Sequence, residues 1–117
     1  MRHAKKGKKF HRVAGRRKAF LRNLAGDLIR AGRIETTEAR AKAIRPKVER
    51  MVTFAKRNDP AGRRLLLSRL HNKKIVEKLY AEWGPKYESR SGGYLRITKL
   101  ERGRKRDASP RAVIEFV

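Results

Sequence analysis

The sequence predicts an α+β fold: a small mixed three-stranded sheet packed on about four helices, in the order helix, strand, three helices, two strands. Three observations carry that expectation. Apolar residues recur at helical spacing in four stretches between Arg16 and Trp83, strand-like alternation occurs at Arg33-Ile34-Glu35-Thr36-Thr37 and again towards the C-terminus, and the breaks fall on Gly32, Asn58-Asp59-Pro60 and Gly92-Gly93. At 117 residues the chain suits one domain and leaves little room for a second.

The first helix is expected from about Arg16 to Ala31, because Phe20, Leu21, Leu24, Leu28 and Ile29 share one face, and Gly32 stands where a left-handed stop belongs. The β-favouring run Arg33–Thr37 follows as a short strand. Thr37 can then cap a second helix, with Glu38 near its positive end. That helix gathers Ala43, Ile44, Val48, Met51, Val52 and Ala55 on one face. Pro46 lies inside it and predicts a kink or short break near Arg45, since proline removes a backbone donor and crowds the preceding turn. Asp59 followed by Pro60 reads as a new helix start. Leu65, Leu66, Leu67 and Leu70 make a short third helix; Ile75, Val76, Leu79, Tyr80 and Trp83 make a fourth after Asn72, stopped by Gly84-Pro85. After the Gly92-Gly93 turn, Tyr94 to Leu100 reads as a strand with Leu95 and Ile97 on one face. The closing strand alternates Ala112, Ile114 and Phe116 against Val113, Glu115 and Val117, a pattern that predicts cover on both faces. Phe54, Tyr80 and Trp83 are expected in the core, Tyr87 and Tyr94 in more open positions.

Charge decides the functional class. Lysine and arginine number 34 against 11 acids, for a net charge of +23 and a pI near 11.6, and the apolar fraction is only 38%. A compact body with that excess repels itself and calls for a polyanion that stabilises the folded form by binding it. From Met1 to Gly26 there are ten basic residues and no acid. Residues 1–15 hold almost nothing to bury and are expected to form a basic RNA-binding arm, with residues 16–117 as the single folded domain. Arg2, Lys5, Lys6, Lys8, Lys9 and Arg12 supply the arm's charge, and His3 can stack or hydrogen-bond there.

Catalytic chemistry finds no support. The absence of cysteine excludes disulfides, thiolate metal sites and a thiol nucleophile. His3, His11 and His71 lack the spacing of a metal module, and Gly7-Lys8-Lys9 has neither the hydroxyl nor the strand-to-helix context of a phosphate loop. No metal, cofactor or small-molecule substrate is expected. No apolar run is long enough to span a bilayer and no signal peptide follows the basic start, so a soluble, non-secreted chain with no membrane partner is expected.

Clustered cations point instead to nucleic acid. Arg16-Arg17-Lys18, Arg63-Arg64 and Arg104-Lys105-Arg106 are such clusters, and the planar fork of arginine suits phosphate. Gly92-Gly93-Tyr94, flanked by Arg90, Arg96 and Lys99, could bring backbone close to a phosphate and stack a base. Basic elements dispersed along the chain favour a protein embedded in folded RNA over one with a single reading head. A DNA-compacting architectural protein is the alternative with the same electrostatics.

Taken together in their order and spacing, a set of short motifs resembles the bacterial large-subunit ribosomal protein L17 family along nearly the whole chain. They are Met1-Arg2-His3, Arg22-Asn23-Leu24, Ile34-Glu35-Thr36-Thr37, Ala39-Arg40-Ala41-Lys42, Ala55-Lys56, Arg63-Arg64, Lys78-Leu79, Arg90-Ser91-Gly92-Gly93-Tyr94, Arg96-Ile97 and Ile114-Glu115-Phe116-Val117. The resemblance implies a cytoplasmic ribosomal protein bound to 23S rRNA near the rim of the nascent-chain exit tunnel, beside neighbouring large-subunit proteins. It also implies that Met1 is the natural start and the arm is retained. Carried over by position, it adds Arg22, Asn23, Thr36, Thr37, Arg40 and Lys42 to the RNA-contact candidates. Two departures stand out: Arg16 is where the family often has histidine, and Lys105-Arg106 precede Asp107 where members usually run arginine, glycine, aspartate.

Overall fold

The computed structural model describes residues 14–105 and 107–117. The described helices begin with α1, Ala14–Ala31, which contains the expected span from Arg16 to Ala31. Leu21, Ala25, Leu28 and Ile29 form its buried stripe. Gly32 ends it with φ +80°, donating its N–H to the Leu28 carbonyl at 2.7 Å. A β-carbon there would also come within 3.2 Å of the Trp83 ring, so conformation and space both require glycine.

Strand β1, Arg33–Thr37, leads straight into α2, Glu38–Arg57. Thr37 caps α2 by accepting from the Arg40 amide at 3.3 Å. The break expected near Arg45 is absent: α2 runs through Pro46 as one helix. Pro46 and Lys42 both lie on the exposed side, so the Lys42 carbonyl that loses its donor can be hydrated, and the buried stripe Ala41, Ile44, Val48, Met51, Val52 and Ala55 continues past it. Asn58 closes α2 in the left-handed conformation, φ 51°, and Asp59 opens α3, Pro60–Leu70, by accepting from the Gly62 amide at 2.7 Å. Asn72 plays the same part for α4, Lys73–Lys78, at the Ile75 amide.

Gly84-Pro85 does not stop this last helix. The chain continues through a π-helical stretch, Leu79–Trp83, into a final turn, α5, Gly84–Lys86, with Gly84 at a helical φ of −58°. Gly84 serves close packing instead: a β-carbon would meet the Ala55 carbonyl oxygen at 3.0 Å, so the missing side chain lets α5 lie against α2. The wide π turn accommodates the buried Leu79 and Tyr80 together with Trp83, whose Nε1 donates to the Ile29 carbonyl at 2.9 Å.

Strands β2, Leu95–Lys99, and β3, Arg111–Phe116, complete a sheet of order β1-β3-β2. Both pairings are antiparallel, so the sheet is not mixed. The 100–110 connector turns the chain straight back, and β1 lies on the far side of β3, running in the same sense as β2. Ile34 and Ile97 face Ile114 from either side. Ala112, Ile114 and Phe116 are buried on the side that meets α2. The other face has no helix against it among the described elements. Val113 is buried there, but Glu115 is only half-buried and is flanked by Arg33 and Arg96 at 3.5 and 2.9 Å, while Arg111 reaches Glu35 at 2.6 Å. The cover expected on both faces of β3 is thus apolar on one side and a ladder of ion pairs on the other.

Tyr87 and Tyr94 are not open; each is 3% exposed. They belong to an aromatic group with Trp83 and Phe116, in which Trp83 stacks on Phe116 at 3.9 Å and Tyr87 tilts against Tyr94 at 5.1 Å. Each hydroxyl finds a polar partner: Tyr87 donates to the Val117 carbonyl at 2.6 Å, and Tyr94 receives the Lys56 ammonium at 2.9 Å. Burial raises the Tyr87 hydroxyl above its ordinary pKa.

Candidate nucleic-acid interface

One cluster of cations forms where α1, the start of α2 and the 100–110 connector meet. On α1, Arg16, Lys18 and Asn23 are exposed and Arg17 and Arg22 half-buried. None of these four cations is in an ion pair with the described residues. Arg40 joins them to α2, its guanidinium lying 4.9 Å from the Phe20 ring centroid. Lys42 and Lys99 share the Glu38 carboxylate at 2.8 and 3.4 Å, and the Lys42 hydrogen bond holds Glu38 below the usual carboxylate range. Thr36 lies opposite Ala112 within the sheet, and the Thr37 oxygen is turned to the helix start. These two threonines therefore build the corner that aims Arg40.

The connector is tied to the same corner by the Glu38 amide, which donates to the Pro110 carbonyl at 2.9 Å. Within it, Arg104 grips Asp107 through two hydrogen bonds of 3.1 and 2.5 Å. The Ser109 amide donates to the same carboxylate at 3.1 Å. Gly103 passes so close to Ala108 that a β-carbon would sit 2.6 Å from its carbonyl oxygen. Arg104 is thus half spent on folding its own loop and Arg111 is held by Glu35, leaving Arg102 and Lys105 as the connector's cations without an ion pair among the described residues; Arg106 lies outside the described residues. Asp107 has its pKa drawn down to about 2, first by Arg104 and then by the Ser109 amide. A carboxyl lowered on folding contributes order above its ordinary value of 3.8 and loses it as the pH falls through about 2. The Ala108 amide, which bonds the Arg104 carbonyl, should therefore stay protected from hydrogen exchange at pH 5 and lose protection progressively between pH 4 and 2.

Arg90, Gly92, Gly93 and Tyr94 are elsewhere. They sit by the C-terminal end of α2, where the Lys56 ammonium bonds the Arg90 carbonyl as well as the Tyr94 hydroxyl. Gly92 and Gly93 take φ of +147° and +62°, and Arg90 Nε donates to the Gly92 carbonyl at 3.1 Å. The base-stacking role expected of Tyr94 is not available to it, because its ring is buried. Arg40 and Lys56 are sixteen residues apart on one helix, which separates the two ends by roughly 24 Å at about 1.5 Å per residue. Arg96 belongs to neither end, lying on the outer sheet face and engaged with Glu115. Arg2, His3, Lys5, Lys6, Lys8, Lys9 and Arg12 lie outside the described residues.

Another basic group spans the end of α2 and α3. Arg57 and Arg69 both approach the Phe54 ring, at 5.7 and 5.9 Å from its centroid, and Arg63 lies 4.4 Å from that of Tyr80. Sequence reading marked Arg63-Arg64 as clustered but did not select these positions. The i, i+3 spacing of Phe54 and Arg57 was the one local clue.

Comparison with known proteins identifies the family. The family model for ribosomal protein L17 matches residues 20–117. A large ribosomal subunit protein bL17 from Persephonella marina is 50% identical, covering 100% of this chain and 95% of that protein. The proteins of the same name from Hydrogenobaculum sp. and Thermus thermophilus are 48% and 44% identical, each covering 100% of this chain and 99% of its own length. Full-length similarity at this level, together with the α+β architecture just described, establishes that the chain belongs to the ribosomal protein L17 family.

Proposed function

We propose that this protein is anchored in the large ribosomal subunit by direct contact with 23S rRNA, stabilising the folded RNA through phosphate neutralisation. As a member of its family it is a structural constituent of the cytoplasmic ribosome and not an enzyme. The observation that carries the RNA reading is a surplus of unneutralised charge. Nine lysines and arginines sit in ion pairs among the described residues, and twice as many do not. Surface ion pairs alone would not require such an excess, whereas each unpaired cation that meets a phosphate releases condensed counterions. Family resemblance adds neighbouring large-subunit proteins and a place near the exit-tunnel rim.

The test is sedimentation of tagged protein from a cell lysate through a sucrose gradient, with a high-salt wash before the subunits are separated. Retention in the large-subunit peak after the wash is expected. Migration with nucleoid DNA would overturn the reading and favour a DNA-compacting role.

A further inference from the structure

The arginines of this protein are held in two chemically different ways. At the sheet, Arg33, Arg96 and Arg111 are fixed by two carboxylates, Glu115 and Glu35, which cancel most of their charge. At the other end of α2, Arg57, Arg63 and Arg69 are set over aromatic rings, which position a guanidinium without cancelling its charge. A guanidinium lying on a ring face keeps donors in its plane free, and that planar fork is the geometry that suits phosphate.

The two rings adjoin each other. A β-carbon on Gly62 would lie 3.2 Å from the Tyr80 hydroxyl and 3.6 Å from the Phe54 ring, so both side chains approach the first turn of α3 at Gly62. The three arginines consequently surround one aromatic base, and all are exposed. Arg64, Lys73 and Lys74 extend the same basic segment, also exposed. The carboxylates nearby only partly offset it: residues 57–77 hold two acids, Asp59 and Glu77, against six lysines and arginines. Arg57 stands seventeen residues from Arg40 on α2, roughly 26 Å along the helix axis at about 1.5 Å per residue.

We propose that this aromatic-seated arginine face is a second phosphate-binding surface, so that the protein grips RNA backbone at both ends of α2 and ties two RNA segments together. The inference rests on the reading of the protein as an rRNA-binding component. Its test uses the full chain and a 23S rRNA transcript, with affinity measured across a salt series. The triple variant Arg57→Gln, Arg63→Gln, Arg69→Gln should bind more weakly and show a dependence of log K on log salt shallower by about two, given roughly 0.7 to 0.9 per phosphate contact. Ser68→Glu provides a second variant that keeps all three arginines. It places a carboxylate four residues after Arg64, a spacing that supports the helix, and should flatten the slope by about one.

Wild-type slope and affinity in Ser68→Glu, with an unchanged melting temperature, would overturn the proposal whatever the folding of the triple variant. Unchanged RNA binding combined with loss of a protein neighbour from reconstituted subunits would also overturn it, assigning the face to an acidic protein. Failure of the wild-type protein to prefer the rRNA transcript over duplex DNA would instead remove the underlying reading.

Discussion

A chain beginning at Ala14 should bind 23S rRNA with a far weaker salt dependence than the full protein. Residues 1–13 hold six lysines and arginines and no acid, and the truncation removes no residue of α1 as described, Ala14–Ala31. Six phosphate contacts alone make affinity fall by roughly a thousandfold between about 50 and 200 mM salt. Their loss should flatten the plot of log K against log salt by about five, a larger change than any single-residue substitution can produce. Affinity at low salt should fall too, because the counterions those contacts release are a favourable entropy. The melting temperature of the free protein should move little, since Met1, Phe10 and Val13 are the only large apolar residues in the deleted segment. A slope equal to that of the full chain would show that the arm's charge is not matched to phosphate, and would leave the folded body as the whole of the binding surface.

Replacing Ile114 with alanine should have the largest effect on stability. Ile114 is 0% exposed, lies in the middle strand and is flanked by Ile34 and Ile97. Removing its outer carbons leaves a cavity between two side chains that cannot both move in. An Ile→Ala change at such a site costs about 3 to 4 kcal/mol. Domains of this size have only about 5 to 15 kcal/mol in total, so the expected fall in melting temperature is on the order of 15 to 25 °C. Ile114→Val removes one methylene and should cost about 1 kcal/mol. Circular dichroism melts of both variants would check the order. A fall below about 5 °C for Ile114→Ala would mean that the sheet contributes little to cooperative unfolding.

What the sequence revealed and what it concealed divide along a physical line. Gly32, Thr37, Asp59-Pro60 and Asn72 act on backbone groups within a few residues of themselves, and the elements they bound were readable. Gly84 misled because its meaning is set from a distance. The same residue that ends a helix in one setting permits close approach in another, and only the Ala55 backbone decides which. Tyr87 and Tyr94 misled for a similar reason, being buried by contacts with Val117 and Lys56 that lie 30 and 38 residues away. Pro46 does not break α2, because it and the Lys42 carbonyl left without a donor lie on the exposed side, open to water. For the interface, local reading found the cations but not their state. Lys99 is tied to Glu38 and Arg111 to Glu35 across the fold, whereas Arg57 and Arg69 remain charged over a ring. Which cations stay available is a property of the packing.

The position of β3 also sets a timetable. It is the last strand made, yet it is the only hydrogen-bonding neighbour of both β1 and β2 among the described strands. Chains are synthesised from the N-terminus, so helices α1 to α4 can associate while the two earlier strands still wait with open edges. The sheet closes when residues 111–116 arrive, and it closes on both sides of one strand. A premature stop that removes only the last seven residues, 111–117, therefore erases an entire layer of the protein and leaves two unpaired strands exposed to other chains.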